Sequence, residues 1–380
     1  MSMRCPTCGT MYADDAKFCT KDGGRLLAHG GAAAPVAAPR VAAPAPAGVP
    51  PRATTPRANT PEIAQRKVIN HANMAGQVLD GRYAIVKKVG EGGMSYVYLA
   101  HDVSNNERYA IKILSPNLSK DENAMARLRR EAALGIRLAH PNVCHIVRMG
   151  ETEDGLVYVV MPFVEGEILA DRNNKAGFLP LRMTVEFVSQ MAAGLHIAHE
   201  LKIIHRDLKP ENIMICKKAD GTEYAVVMDF GLAKERKAGG ELEKLTATGI
   251  ILGTPEFMSP EQLRGKPLDP RTDVYSLSLM TYEMLTGKLP FEGRTQQELM
   301  IARLRNDPIP LRQRRTGMDF PEAVEKVLLK GMARNVDDRY ATTLEFAAEL
   351  QAAAGSGGAG GAGGAGGASS GGVLGKIFGR

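Results

Sequence analysis

No apolar run in these 380 residues approaches the ~18 needed to cross a bilayer, and the N-terminus lacks the basic-then-apolar order of a secretory leader. Both absences point to a cytoplasmic protein. Cysteine is scarce, with five in the chain. Cys5, Cys8 and Cys19 cluster near the start, while Cys144 and Cys216 stand singly among apolar neighbours, as reduced thiols used as small hydrophobes do. No disulfide framework is implied. Net charge is small as well: the formal value is +6, and residues 1–80 hold nine Lys or Arg against five Asp or Glu, with Lys376 and Arg380 adding to the tail. The middle of the chain is therefore close to neutral, which argues against a nucleic-acid surface there.

What is present divides by composition. Residues 1–27 form a short Cys-containing unit, and 28–76 an Ala/Pro-rich linker that cannot bury a core. Residues 77–352 carry mixed strand and helix patterns, 353–372 are nearly pure Gly, Ala and Ser, and 373–380 end the chain in an apolar-basic tail. In the large region, alternation predicts strands at 83–89, 97–101, 109–114 and 157–160, interrupted by a helix over 121–139. Beyond Glu165 the periodicity predicts helices at 181–201, 272–286, 295–305, 321–332 and 343–352. A small β-rich lobe at 77–164 followed by a larger helical lobe at 165–352 is the expected architecture, of class α+β.

The strongest chemical signal is the run His205-Arg206-Asp207-Leu208-Lys209-Pro210-Glu211-Asn212, with Asp229-Phe230-Gly231 beginning seventeen residues after Asn212. A general base followed by two metal ligands in that order equips a chain for phosphoryl transfer from ATP with magnesium, manganese being a possible substitute. Asp207 would accept the proton of an attacking hydroxyl, Lys209 would sit beside the transferred phosphate, and Asn212 with Asp229 would hold the cation. His205 and Phe230 are more simply packing residues. Upstream, Gly90, Glu91, Gly92, Gly93, Met94, Ser95 and Val97 form a Gly-rich stretch between two strand-like runs, where missing side chains let backbone N–H groups approach phosphate oxygens. Ala110 and Lys112 follow on a later strand, and Lys112 would neutralise phosphates if Glu131 on the next helix directs it. Solvated surface charge is the plainer reading of both residues.

From Gly81 to Leu350 the chain resembles bacterial eukaryotic-like (Hanks-type) serine/threonine protein kinases. The motifs are Gly90 to Val97, Ala110-Ile111-Lys112, Glu131, His140-Pro141-Asn142, His205 to Asn212, Asp229-Phe230-Gly231, Ser259-Pro260-Glu261, Asp273 and Arg339. The resemblance implies the bilobal protein kinase fold and protein substrates. Lys209 and Thr254 look like the serine/threonine class, and Met161 like the residue behind the adenine pocket. Pro162, Phe163 and Val164 resemble the hinge, where the Pro162 carbonyl accepts and the Val164 N–H donates. Glu261 and Arg339 resemble a structural ion pair. Three departures stand out: Ser95 for a glycine, Ser259 for an alanine, and Gly135 where an apolar contact is usual, which would leave helix 121–139 loosely held.

Arg206 resembles the arginine that marks kinases ordered by a phosphate, which implies autophosphorylation at Thr246 and Thr248, with Lys234 as a further partner. Ordinary loop threonines are the alternative. At the N-terminus, Cys5-Pro6-Thr7-Cys8 with Cys19 and Asp22 resembles a zinc ribbon in which Asp22 replaces the last cysteine. Three thiols on an unstructured arm would be the bland reading. In the tail, Val373, Leu374, Ile377 and Phe378 beside Lys376 and Arg380 suit docking on a partner or an anionic surface, or simply solvation. Self-association or partner contact through the N-terminal module is expected. The competing class is a pseudokinase scaffold, disfavoured by the presence of Lys112, Asp207, Asn212 and Asp229. A zinc-dependent nucleic-acid binder is disfavoured by the few basic and aromatic residues of the N-terminal unit.

Overall fold

A computed structural model describes residues 3–4, 10–12, 27–28, 73–92, 95–115, 122–152, 155–230 and 255–356. The chain separates into one unit of residues 1–139 with 145–164 and another of 140–144 with 165–380. No described helix is long and apolar enough to cross a membrane.

In the first unit, β1 (Met3–Arg4), β2 (Met11–Tyr12) and β3 (Leu27–Ala28) form a small antiparallel sheet in the order β2-β1-β3. A larger sheet contains β4 (Val78–Leu79), β5 (Tyr83–Gly92), β6 (Ser95–Asp102), β7 (Arg108–Leu114), β8 (Arg148–Glu151) and β9 (Val157–Pro162), in the order β4-β5-β6-β7-β9-β8. Alternation puts Tyr83, Tyr98, Ile111, Ile113, Tyr158 and Val160 into one core. The Tyr83 ring meets Tyr109 and Tyr158 edge-on, with centroids 5.9 and 6.4 Å apart. The Gly-rich stretch expected between strands is itself largely strand: Gly90 lies opposite Val97, and Gly92 opposite Ser95.

The segment preceding β5 is bound to this sheet. Met74 is buried in its core, Gly76 N donates to Ile85 O at 2.9 Å and Ile85 N to Gln77 O at 2.8 Å. Asp80, at φ +50°, accepts the Tyr158 hydroxyl and lies 3.8 Å from Arg148 Nη2.

The helix of this unit, α1 (Glu122–Ile136), buries Met125, Leu128, Ala132 and Ala133 and reaches β8 through Arg129 Nη2 and Glu151 Oε2 at 3.4 Å. A Cβ at Gly135 would stand 2.7 Å from Ile146 Cδ1, so the glycine gives Ile146 its place on the helix. Ile146 thus fills the space that a side chain at 135 would occupy.

The second unit contains β10 (Glu167–Ile168), α2 (Leu169–Ala176), α3 (Leu181–Glu200), β11 (Ile213–Lys217) and β12 (Glu223–Val227). It continues with α4 (Pro260–Leu263), α5 (Arg271–Thr286), α6 (Gln296–Arg305), α7 (Leu311–Arg314), α8 (Glu322–Gly331) and α9 (Thr343–Ser356). β11 is the middle strand of an antiparallel β10-β11-β12 sheet. Residues 140–144 belong here because Asn142 Nδ2 donates to Ala225 O at 2.7 Å and Cys144 N to Val227 O at 2.9 Å.

α3 packs against α9, α5 and β12. α5 has no charged residue between Asp273 and Glu283 and is buried almost throughout. Some of its hydroxyls donate back into the helix, as in Ser278 Oγ to Val274 O at 2.8 Å and Thr281 Oγ1 to Leu277 O at 2.7 Å, while Ser276 Oγ and the Tyr282 hydroxyl reach Phe257 O and Ile309 O outside it. It stops at Gly287, whose φ of +73° and approach to Gly177 O leave no room for a Cβ. Glu261 and Arg339 form a bidentate pair, Nη1 to Oε1 and Nη2 to Oε2 both at 2.8 Å, with Thr272 Oγ1 donating to Oε1 at 2.9 Å. Burial pushes the Glu261 carboxyl up, but Arg339 more than offsets it and holds the group below the usual carboxylate range.

Candidate active site

The first unit presents its candidate residues through strand register. Val97 lies opposite Lys112, and Lys112 opposite Val159; Leu99 lies opposite Ala110, and Ala110 opposite Met161. Opposed residues and their second neighbours share a face, so Val97, Ala110, Lys112 and Met161 all belong to one side of the sheet, the side away from the Tyr98, Ile111 and Val160 core. A lysine amine thus stands on the same face as three small or apolar side chains suited to a flat ring. At the end of β9, Pro162 leads into Phe163, whose N–H donates to Arg108 O at 3.3 Å and whose ring lies 5.8 Å from the Arg108 guanidinium carbon. Glu131 is on α1, half-buried.

The second unit assembles the residues between 205 and 229. Asp273, fully buried on α5, accepts from His205 N at 2.8 Å and Arg206 N at 3.1 Å and is joined to His199 Nε2 at 2.7 Å. Burial works to raise its carboxyl, yet His199 and the His205 side outweigh that and hold it below the usual range. An anion buried this way is a fixed post for the loop that follows.

His205 Nε2 meets Met228 O at 2.8 Å, and Asp207 N donates to His205 Nδ1 at 3.3 Å. These partners assign the Nε2–H tautomer, a ring committed on both nitrogens, and its centroid lies 4.8 Å from that of Phe230. His205 and Phe230 are packing residues, as their simplest reading held.

Asn212 Nδ2 donates to Asp207 O at 2.7 Å and to Asp207 Oδ2 at 3.0 Å, while Lys209 Nζ lies 3.5 Å from the same Oδ2. Met228 N donates to Asn212 O at 2.8 Å, so Asp229 follows directly on a bond to the segment carrying Asp207, and it adopts φ +50°. Asp207, Lys209, Asn212 and Asp229 are thereby gathered in one unit. The arrangement offers an oriented carboxylate, an ammonium beside it, and amide and carboxylate oxygens of the hard type that suits magnesium.

Gly93, Met94, Gly231, Lys234, Thr246, Thr248, Thr254, the set Cys5, Cys8, Cys19 and Asp22, and residues 373–380 lie outside the described residues. Sequence reasoning missed Gln262, whose amide nitrogen donates to Arg206 O at 2.7 Å. It also assigned no role to Asp273. Neither could be read locally, since each partner is more than fifty residues away.

A family model described as the protein kinase domain matches residues 83–347. The chain is similar to serine/threonine-protein kinase pkn3 of Myxococcus xanthus, 37% identical over 277 residues, covering 73% of this chain and 51% of the relative. It is similar to serine/threonine-protein kinase PknB of Mycobacterium leprae, 38% identical over 275 residues, covering 72% and 43%. It therefore spans about half the length of these curated relatives. Among solved structures, the kinase domain of Mycobacterium tuberculosis PknI has the same fold, with a TM-score of 0.58 at 24% identity over 74% of this chain and 100% of that one.

Proposed function

Because this chain belongs to the protein kinase family, we propose that it is a serine/threonine protein kinase, transferring the γ-phosphoryl group of ATP to protein hydroxyls, its own included. The observation that carries the reading is the Asp207 carboxylate held by Asn212 at 3.0 Å with the Lys209 amine 3.5 Å away. Asp207 orients the attacking hydroxyl and takes its proton, and Lys209 stabilises charge on the transferred group. Lys112, directed by Glu131, binds the α- and β-phosphates. Gly90, Glu91, Gly92, Gly93, Met94, Ser95 and Val97 cover the phosphates with backbone N–H groups. Ala110, Met161, Pro162 and Val164 receive the adenine. Asn212 and Asp229 hold magnesium; with Nδ2 committed to Asp207, the Asn212 amide offers its oxygen, and few protein ligands are needed where phosphates supply the rest. Bound magnesium supplies charge neutralisation at the β- and γ-phosphates.

Three further parts belong to this reading. Autophosphorylation falls on Thr246 and Thr248, bringing a phosphate to Arg206. Residues 1–27 form a zinc-ribbon-like module held by Cys5, Cys8, Cys19 and Asp22. This is supported by the pairing of β1 with β2 and β3, which flank Cys5 to Cys8 on one side and Cys19 to Asp22 on the other. The protein is cytoplasmic, with protein substrates, and contacts partners or itself through that module and the 373–380 tail.

The test is labelled-phosphate transfer from ATP with magnesium, beside Asp207→Asn. Incorporation at Thr246 or Thr248 that disappears in the variant is the expected result. Nucleotide binding without transfer to itself or to a casein-like acceptor would return the scaffold reading. Zinc content of the purified chain, lost in Cys5→Ser, tests the module separately.

A further inference from the structure

The peptide joining Arg206 to Asp207 is gripped at both of its polar atoms. Its carbonyl oxygen, on Arg206, accepts from Gln262 Nε2 at 2.7 Å, and its N–H, on Asp207, donates to His205 Nδ1 at 3.3 Å. A peptide is planar, so two bonds to opposite edges fix the rotation of the whole unit and with it the direction in which Asp207 leaves the backbone. Arg206 needs such support: its φ of +65° is a left-handed conformation that is strained for a non-glycine residue. The other side of Arg206 is anchored as well, its N–H donating to buried Asp273.

Gln262 is itself pre-set. Ser259 caps α4, its Oγ accepting from Gln262 N at 3.3 Å while Gln262 Oε1 accepts from Ser259 N at 2.9 Å. With Oε1 held by a backbone donor, the amide has one orientation that works, and Nε2 is the end that faces Arg206 O. The reversed amide would set donor against donor and acceptor against acceptor. The serine that departs from the family pattern at 259 is thus part of a capping box that aims this side chain.

Resting on the kinase reading above, we propose that Gln262 is a positioning residue for phosphoryl transfer, acting through the Arg206 carbonyl to hold Asp207 in its working direction. It couples α4, the helix following residues 255–259, to the base. Gln262 touches none of the reacting atoms in this role. Neighbouring anchors of α4 are independent of it: Glu261 is held by Arg339, and Ser276 Oγ donates to Phe257 O at 2.8 Å. Losing the amide donor therefore leaves the fold in place while freeing the 206–207 peptide.

Two variants separate the roles. Gln262→Glu keeps an oxygen for Ser259 N, and so the cap, but cannot donate to Arg206 O; Gln262→Met removes the donor without adding charge. Both are expected to lower kcat for peptide phosphorylation about 10- to 100-fold, with KM for ATP and peptide within about twofold of wild type and Tm within a few degrees. Hydrogen exchange at the Asp207 amide is expected to quicken in both, a readout that does not depend on transfer. Unchanged kcat and exchange in Gln262→Met would overturn the proposal, as would a loss confined to Gln262→Glu, which would be a charge effect, or a loss of kcat that follows equal losses of KM and Tm. Wild-type transfer measured alongside reports on the kinase reading itself, and the exchange comparison judges Gln262 whichever way that falls.

Discussion

One amide nitrogen of Asn212 serves both the backbone oxygen and the carboxylate of Asp207, at 2.7 and 3.0 Å. A side chain five residues downstream thus closes the loop on the proposed base and fixes its carboxylate plane. In the proposed reading the oxygen of this same amide is offered to magnesium, so orientation of the proposed base and binding of the cation share one residue.

Asn212→Ala is expected to lower kcat on the order of 100-fold or more while leaving Tm near wild type, because the amide that orients the Asp207 carboxylate is lost from a partly exposed segment rather than from the core. Steady-state kinetics with a thermal melt on the same preparation checks it. A matching collapse of Tm would show that Asn212 is chiefly a packing residue.

Replacing Glu261 with Gln is expected to destabilise the second unit by about 3–5 kcal/mol, because Arg339 is left buried without its counter-charge. The effect has a pH signature. The Glu261 carboxyl is held below its ordinary value in the fold, so its stabilisation is present above the unfolded carboxylate pKa and is lost as pH falls through the folded one. The Tm gap between wild type and variant should be widest near neutral pH and narrow in acid; a gap independent of pH would contradict this.

Glu283 has the opposite sign. Burial, with Glu211 and Glu256 nearby, pushes its carboxyl up to about 7. The folded state then holds a proton that the unfolded state releases near pH 4.5, so stability declines as pH rises from there to about 7. Glu283→Gln is expected to match wild type near pH 4 and exceed it at pH 8, by about 3 kcal/mol. Denaturant melts at the two pH values decide it.

Gly135→Ala should destabilise the first unit although alanine favours helix by ~1 kcal/mol, since the new methyl meets Ile146 Cδ1 and overpacking costs about 1–3 kcal/mol. Adding Ile146→Val removes that carbon and should recover much of the loss. A stabilised single variant would mean that Ile146 moves aside freely.

The cluster around Asp207 was legible because its members lie within a short window. Asp207, Lys209 and Asn212 fall within six consecutive positions, and their mutual contacts follow from local chain geometry. The long helices were legible too, because α3 and α5 carry enough apolar residues for a period to show. β8 and β10 have four and two residues, and they are strands only because β9 and β11 lie beside them. Gln262 was illegible for the same reason at side-chain level, its value depending on a carbonyl 56 residues earlier. Gly135 showed as a departure from the family pattern, but its compensation by Ile146 is a contact, and contacts across a fold are not written in either residue alone.

Met74 and β4 change where the catalytic unit starts. The family match begins at Tyr83, yet Met74 lies in the tyrosine-lined core and the stretch after it is pinned through Asp80 to Tyr158. A chain trimmed to the match would leave a methionine-sized hollow and strip β5 of β4, one of its two neighbours. Force applied to the chain at Met74 would therefore be felt first at the tyrosine cluster, because the side chain lies in that core while β4 forms only the edge of the sheet.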